Sequence, residues 1–194
     1  MDSNPLNPPP PPEGIPIPVD DGACDHLVGT TIPTDVTLPA TNGSKVDLES
    51  LSGLTILFCY PRTGAPGEEI PKEWDDIPGA RGCSPQACAF GDLYASLRKL
   101  GVHNLYGLST QPTEYQREAK ERLHLPYEML SDENLELIKS LQLPTFDFQD
   151  NTLVKRVTLA IVDGRVHKVW YPVFPTVENA ANVEKWLKTK QQYV

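Results

Sequence analysis

The sequence predicts an α/β fold in which a mixed central sheet is flanked by helices. Two patterns indicate this class: strand-like and helix-like segments alternate through the middle of the chain, and a hairpin closes it. With 194 residues, the chain is long enough for one domain with a substantial core. We expect that domain over residues 26–194, preceded by an arm over residues 1–25.

The arm is distinguished by its composition. The first eighteen residues contain eight prolines and almost no large apolar side chains. Such a segment buries too little surface to offset the entropy that ordering it would cost. We therefore expect a flexible or polyproline-type arm. Pro5 and Pro8 have the PxxP spacing of a docking ligand, although composition favours a plain linker.

The first elements of the domain are predicted to be strands. Residues 34–38 and 44–48 form a short hairpin around Asn42-Gly43, a dipeptide that accepts the positive φ of a tight turn. Residues 54–60 are a continuous apolar and β-branched run, which predicts a central strand covered on both faces. Residues 62–80 then form a long loop, and long loops in compact domains are often functional.

Helices and strands alternate after this loop. We expect a helix over residues 85–100, a strand over 104–109 and a helix from the capping box at Thr113 to His124. A further helix is expected at about 133–142. The first of these helices has either Ser84 or Cys83 as its N-cap.

The end of the chain is predicted as a hairpin followed by a helix. Strands over 156–162 and 165–173 flank the two-residue turn Asp163-Gly164. Thr176 is expected to cap the last helix. Its apolar face is predicted to consist of Val177, Ala180, Val183 and Leu187.

Cys83 lies at the start of the helix that follows the long loop. Free backbone N–H groups and the positive end of the helix dipole favour a thiolate there, and Arg81 adds a cation two residues earlier. Phe90 and Leu97 follow Cys83 at intervals of seven residues, which is nearly the same helical direction. Cys83 is therefore predicted to face the core.

Cys88 is predicted to lie on another side of the same helix. Five residues of helix rotate it by about 140° from Cys83 and raise it by roughly 7.5 Å. A disulfide needs Cα atoms within about 7 Å, so the first helical turn must unwind before the two can join. Such a pair is explained if Cys83 first becomes a sulfenic acid and then condenses with Cys88 after local opening.

Several motifs of the chain resemble one known family. They are the run from Cys83 to Asp92 (CSPQACAFGD), the strand-to-proline step at 58–61, and the segments 105–110, 125–132 and 155–159. On these residues the chain resembles the peroxiredoxins, specifically the peroxiredoxin Q or bacterioferritin-comigratory-protein type, over residues 30 to 190. The resemblance implies a thioredoxin-like fold and a thiol-dependent peroxidase that reduces hydrogen peroxide and organic hydroperoxides.

The resemblance also implies roles for individual residues. Cys83 corresponds to the peroxidatic cysteine, and Cys88 to the resolving cysteine that joins it in an intramolecular disulfide. Arg156 corresponds to the arginine that stabilises the thiolate and polarises the peroxide O–O bond. Thioredoxin or a related dithiol would then reduce the disulfide, and no metal or organic cofactor is needed.

The chain departs from the family pattern before Cys83. The family has a proline, then a threonine or serine, and then the cysteine within a few residues, whereas here twenty-one residues separate Pro61 from Cys83. Ala80 stands three residues before Cys83, where the hydroxyl is expected. Thr63, Ser84 or backbone amides are the candidate replacements, so Pro61, Thr63 and Ser84 are our candidate substrate contacts.

Composition restricts the other functions. The net charge is −9 and no basic run exceeds two residues, which argues against nucleic-acid and membrane partners. We expect a cytoplasmic protein, a monomer or weak homodimer, whose cysteines are not a structural disulfide framework. Cys59 is predicted to be a small buried hydrophobe, and Cys24 an incidental exposed cysteine.

The sequence offers two alternatives to catalysis by this pair. Metal binding is disfavoured because only two thiols are close in sequence and no histidine falls at ligand spacing from them. The second alternative is a non-catalytic redox sensor or interaction protein, in which a switch between Cys83 and Cys88 unwinds the helix. A sensor would be oxidised once and stop, whereas an enzyme would turn over.

Overall fold

A computed structural model describes residues 14–191 of the chain. The strands are β1 (Leu38–Pro39), β2 (Lys45–Val46), β3 (Leu54–Cys59), β4 (Val102–Ser109), β5 (Glu128–Ser131), β6 (Thr145–Phe148), β7 (Asn151–Val154), β8 (Val157–Val162) and β9 (Arg165–Trp170). The α-helices are α1 (Cys83–Lys99), α2 (Thr113–Arg122), α3 (Glu136–Ser140) and α4 (Asn179–Gln191). Two short 3-10 helices precede α1 and α4, at Lys72–Trp74 and Thr176–Glu178.

A mixed five-stranded sheet forms the centre, with strand order β5-β4-β3-β8-β9. Strand β4 is parallel to both β3 and β5, whereas β8 is antiparallel to β3 and β9. This arrangement confirms the predicted α/β class with a mixed sheet between helices. The predicted hairpin at Asn42-Gly43 is also present, with strands of only two residues each.

Strand β3 is covered on both faces, as its apolar run predicts. Leu57 and Cys59 belong to the apolar cluster on one face, while Ile56 and Phe58 belong to the cluster on the other. Helices α1 and α4 pack against each other on the second face. Phe90 of α1 stacks on Phe58, with ring centroids 4.5 Å apart. This stacking fixes α1, and therefore its first residue, relative to the sheet.

Some local predictions were wrong. Helix α2 begins at Thr113 with Pro112 as N-cap and no side-chain cap bond, so there is no capping box. Val177 lies in the 3-10 turn before α4 and is 46% exposed, so it does not share the buried face of Ala180 and its neighbours. Helix α3 is shorter than expected, because Leu135 adopts a left-handed conformation just before Glu136.

Sequence patterns did not predict the hairpin β6–β7. Its two turn residues, Gln149 and Asp150, both have positive φ, of 47° and 61°. Turns of this kind are usually recognised by glycine or asparagine, and neither stands at these positions. The hairpin carries Phe146 and Phe148, both of which contact Trp74 of the long loop.

Part of the predicted arm contacts the domain. Asp21 is 3.1 Å from the Lys155 ammonium and accepts a 2.8 Å hydrogen bond from the Tyr171 hydroxyl. Cys24 is 5% exposed, so the expectation that it is exposed was wrong; a tight turn places it and Leu27 in the core. The proline run at residues 8–12 and the PxxP pair lie outside the described residues, and the boundary at residue 25 stays a prediction.

Within residues 14–191, no helix has the length and apolar character needed to cross a membrane.

Candidate active site

Helix α1 begins at Cys83, and its N-cap is Gly82. Neither Ser84 nor Cys83 is the cap, so both sequence alternatives were wrong. Gly82 has a φ of 98°, and a β-carbon there would collide with the Thr176 side chain of the turn before α4. Only glycine combines this conformation with so close an approach. The start of α1 is therefore packed directly against the turn at residues 176–178.

The Cys83 thiol is buried and contacts a cation. Its side chain is 5% exposed, and Nη2 of Arg156 lies 3.2 Å from its Sγ. Sγ is also 3.6 Å from the carbonyl oxygen of Ala80, to which the protonated thiol can donate. A guanidinium stays protonated in proteins, so its contact with the sulfur favours negative charge there. The predicted orientation of Cys83 toward the core is confirmed.

Arg156 immediately precedes β8 and is only 4% exposed. The two N–H groups of its Nη2 are shared among the carbonyl oxygens of three consecutive residues, at 3.1 Å for Gly79, 3.2 Å for Ala80 and 3.1 Å for Arg81, and the Cys83 sulfur. Its Nε also donates to Gly79, at 3.3 Å. These contacts tie the guanidinium to the segment that leads into α1. The arginine and the thiol are consequently held as one unit.

A buried polar chain supports the other side of the guanidinium. Nη1 of Arg156 donates to Oε1 of Gln86, and Nε2 of Gln86 donates to Oδ1 of Asn179 at 2.9 Å. The same Asn179 oxygen accepts a 2.7 Å bond from the Thr158 hydroxyl. All four residues are buried. Buried polar groups bonded in this way restrict the guanidinium to one orientation.

Arg81 does not provide the additional cation that the sequence suggested. Its side chain forms an ion pair with Asp75, with Nη2 and Oδ2 2.8 Å apart. Hydrogen bonding to this guanidinium holds the pKa of Asp75 below its usual range. The prediction was wrong because a carboxylate of the long loop binds Arg81, and Arg156 contacts the thiol instead.

Cys88 lies half-buried on α1, and all four cysteines are free thiols. Burial raises the pKa of Cys88, and the nearby Asp92 carboxylate raises it further. Cys88 therefore stays protonated at neutral pH in this conformation. Of these two cysteines, only Cys83 contacts a buried guanidinium among the described residues. The unwinding needed to join them stays a prediction.

The two remaining cysteines are placed in apolar surroundings. Burial and the Asp21 carboxylate raise the pKa of Cys24 to about 12. Cys59 is completely buried, as predicted, and burial raises its pKa as well. A thiol is reactive as the thiolate, so both are poor nucleophiles.

The three candidate substrate contacts are placed differently. Pro61 and Thr63 are buried, and the Thr63 backbone N–H and hydroxyl both donate to Oε1 of Gln111, at 2.9 and 3.3 Å. Thr63 is not among the residues that line the cavity at Cys83, whereas Ser84 is. The structure thus brings Ser84 to the thiol's cavity and keeps the Thr63 hydroxyl on Gln111.

Cys83 borders a cavity of about 690 Å³. Residues of the long loop, including Ile70 and Trp74, line this cavity, and so do Phe174 and Val177 before α4. The charged loop residues Arg62 and Arg81 are paired with carboxylates of the same loop. Apolar side chains and these two ion pairs therefore line much of the cavity beside the thiol, together with the carboxylate of Glu69.

Trp74 connects the long loop that lines this cavity to the hairpin β6–β7. It is 6% exposed and makes an edge contact with Phe148, with centroids 4.9 Å apart. The hairpin β6–β7 thereby supports the loop from behind. Sequence reasoning missed Trp74, Gln86, Thr158 and Asn179 as parts of this site. Only Gln86 carried a signal, because its spacing of three from Cys83 predicts the same helix face.

In the part of the chain that the structure describes, no cluster of three or more histidine, cysteine, aspartate or glutamate side chains could hold a metal ion.

Comparison with known proteins identifies the family. The Redoxin family model matches residues 27–185. Peroxiredoxin bcp1 of Schizosaccharomyces pombe is 30% identical over 138 residues, which are 67% of this chain and 62% of that protein. A putative peroxiredoxin bcp of Coxiella burnetii is 33% identical over 99 residues, 50% of this chain and 55% of that protein. The chain thus spans between half and two thirds of these relatives' lengths.

Solved structures agree with this result. The peroxidoxin BcpB of Mycobacterium tuberculosis aligns with a TM-score of 0.67 at 25% identity, covering 84% of this chain and 98% of that one. A PrxQ mutant of Xylella fastidiosa has a TM-score of 0.68 at 17% identity, covering 86% and 98%, and shows the shared fold. The chain belongs to the Redoxin family, among the peroxiredoxins of the Q or bacterioferritin-comigratory type.

Proposed function

We propose that this protein is a thiol-dependent peroxidase in which Cys83 attacks the hydroperoxide. The observation that supports this most directly is the 3.2 Å contact between Arg156 Nη2 and Cys83 Sγ beside the cavity. The sulfur attacks the terminal oxygen of the hydroperoxide, and the O–O bond breaks. Sulfur is oxidised to a sulfenic acid, and the leaving oxygen takes up a proton to become an alcohol or water. Arg156 stabilises the negative charge that develops on that oxygen.

The second step joins the two cysteines. The Cys88 thiolate attacks the sulfenic sulfur, a disulfide forms, and hydroxide leaves as water after protonation. The raised pKa of Cys88 in the folded helix is consistent with this order, because Cys88 becomes a nucleophile only once opening exposes it. Thioredoxin or a related dithiol is the proposed electron donor. It reduces the disulfide and regenerates both thiols.

The proposed substrates are hydrogen peroxide and organic hydroperoxides. A cavity of about 690 Å³ with apolar walls offers far more space than hydrogen peroxide fills, and it accommodates an alkyl or aryl group. A Xanthomonas campestris bacterioferritin comigratory protein with the same fold is described for its alkyl peroxide reduction activity. We propose that Ser84 supplies the hydroxyl that Ala80 lacks.

The test is a titration of the reduced protein with one equivalent of hydrogen peroxide, followed by intact-mass and peptide analysis. We expect a disulfide between Cys83 and Cys88. The Cys88→Ser variant should consume one equivalent and stall as a sulfenic acid, which only a second equivalent of peroxide would oxidise to the sulfinic acid, and Cys83→Ser should not react. Full activity of Cys83→Ser would show that our assignment of roles is wrong.

A second assay separates the enzyme from the redox sensor. With excess peroxide and a thioredoxin system, an enzyme turns over many equivalents, whereas a sensor is oxidised once and stops. A disulfide between other cysteines, such as Cys24 and Cys83, would indicate that a different pair of thiols reacts.

We also propose that the protein is located in the cytoplasm and that it is a monomer or a weak dimer. Relatives from plants are named as chloroplastic, so fractionation and sedimentation would test both.

A further inference from the structure

Residues 15–21 cross the outside of the candidate active site before the chain enters the domain, and we call them the N-terminal strap. The first of them, Ile15, lines the cavity that contains Cys83. Most of the later ones line a second cavity, of about 280 Å³: Ile17, Pro18, Val19 and Asp21. The strap thus borders two cavities that meet at the segment before α1.

The second cavity is also lined by Arg156 and by Gly79, one of the residues that bond to its guanidinium. The Gly79 carbonyl accepts two bonds from Arg156, from Nε at 3.3 Å and Nη2 at 3.1 Å. Pro18 is a neighbour of the same glycine: a β-carbon at Gly79 would lie 3.4 Å from its ring. One strap residue therefore lies next to the residue whose carbonyl orients the guanidinium.

The N-terminal strap is attached to the domain by side-chain contacts, and it is not part of a helix or a sheet. Asp21 bonds to Lys155 and Tyr171, and Cys24 is buried just beyond it. Among the described residues, 15–19 make no backbone hydrogen bond to the domain. Segments held only by side-chain contacts open at low cost. Loss of the contacts made by Pro18 and Asp21 should therefore release the strap without disturbing the sheet or the helices.

We propose that the N-terminal strap is a positioning element for Arg156. By packing on Gly79, it keeps that carbonyl in place and closes the second cavity behind the guanidinium. Release of the strap admits water to Arg156, and a contact of a cation with sulfur is weaker at higher local dielectric. The strap thereby increases the reactivity of Cys83 without touching the sulfur. Its effect on peroxide reduction rests on the function proposed above.

The test compares two double variants of the full chain. Pro18→Gly with Asp21→Asn removes the packing on Gly79 and the charge of the anchor. Pro16→Gly with Asp20→Asn makes the same chemical changes nearby. Pro16 lines neither of these cavities, and within residues 14–191 Asp20 accepts a bond only from Gly22 in its own turn. We expect the first variant to slow oxidation of Cys83 by hydrogen peroxide about tenfold, as small misplacements in active sites do. The control should match the unmodified protein.

A double-mutant cycle shows whether the strap acts through the arginine. In an Arg156→Lys background, releasing the strap should produce no further loss of rate, since coupled residues are not additive. An equal loss in both backgrounds would overturn the proposal, because the strap would then act on stability or on substrate entry. Faster oxidation of Cys83 after release of the strap would also overturn the proposal, because it would indicate that the strap covers the thiol.

Alkylation of Cys83 by iodoacetamide, followed by peptide mass analysis, gives a readout that needs no peroxidase activity. The strap-releasing variant should be alkylated more slowly than its control. If peroxide oxidises Cys83 in none of the proteins, the proposed function fails, and alkylation still decides about the strap. Equal alkylation of variant and control would overturn the proposal.

Discussion

Replacing Arg156 by lysine tests the contact on which the proposed chemistry depends. The guanidinium serves five acceptors: Sγ of Cys83, the carbonyl oxygens of residues 79, 80 and 81, and Oε1 of Gln86. Lysine keeps the charge, but it has three donors on one nitrogen and no planar fork. Loss of the guanidinium's bonds to the reacting sulfur and to the leaving oxygen of the peroxide raises the activation free energy by about 1.5–3 kcal/mol. The rate should therefore fall roughly 10- to 150-fold.

The assay is stopped-flow oxidation of Cys83 by hydrogen peroxide under single-turnover conditions, which excludes the recycling steps. Arg165→Lys is the matched control, because Arg165 donates to the Gly29 carbonyl at 2.6 Å on the exposed edge strand β9. Thermal melting shows whether each variant is folded. A folded Arg156→Lys protein that reacts within about twofold of the unmodified rate would refute the reasoning, since charge alone would then suffice.

Three further predictions concern the cavity, the thiols and the strap. Ile70→Glu adds charge to the apolar lining of the cavity and should lower kcat/KM for cumene hydroperoxide more than for hydrogen peroxide. The control Val28→Glu, on another exposed surface, should change neither value. Equal losses of kcat/KM for the two peroxides in Ile70→Glu would contradict the assignment of this cavity to the substrate. Cys24 should resist iodoacetamide in the folded protein and react after denaturation, as peptide mass analysis can show; rapid labelling in the native protein would contradict its raised pKa. The Tyr171 hydroxyl and Lys155 lower the pKa of Asp21 from 3.8 to about 2. The stability that this carboxylate contributes is therefore present above about pH 4 and is lost as the pH falls toward 2. An NMR titration of the Asp21 carboxyl with a midpoint near 3.8 would contradict this prediction.

The parts of the fold with strong local patterns were predictable. Strand β3 was recognised because buried strands need apolar side chains on both faces, and the hairpin β8–β9 because Asp163-Gly164 accepts positive φ. The face of α1 that carries Cys83, Phe90 and Leu97 followed from helical periodicity, and all three are buried. Each of these features depends on residues that are close in sequence.

Features that depend on contacts distant in sequence were not predictable in the same way. Gly82 caps α1 because Thr176, ninety-four positions later, leaves no room for a side chain. The Arg81 guanidinium lies on Asp75, and no pattern distinguishes such a pair from a cation available to the thiol. The turn at Gln149 and Asp150 adopts positive φ without glycine. In each case tertiary packing selects a conformation that local propensity disfavours.

In the proposed mechanism, the contacts of Arg156 that activate Cys83 also oppose the unwinding of the first turn of α1, and oxidation of the sulfur should weaken those contacts. Arg156 binds the sulfur and three carbonyl groups before α1, so the first turn cannot unwind without loss of these bonds. A Cys83 thiolate and the guanidinium carry opposite charges, whereas a protonated sulfenic acid is a neutral acceptor and is held more weakly. Since these two contacts differ by about 1 kcal/mol or more, oxidation should increase the population of the opened turn several-fold. We therefore expect the reduced protein to keep α1 closed, and the opening that brings Cys88 to Cys83 to follow the reaction with peroxide rather than precede it.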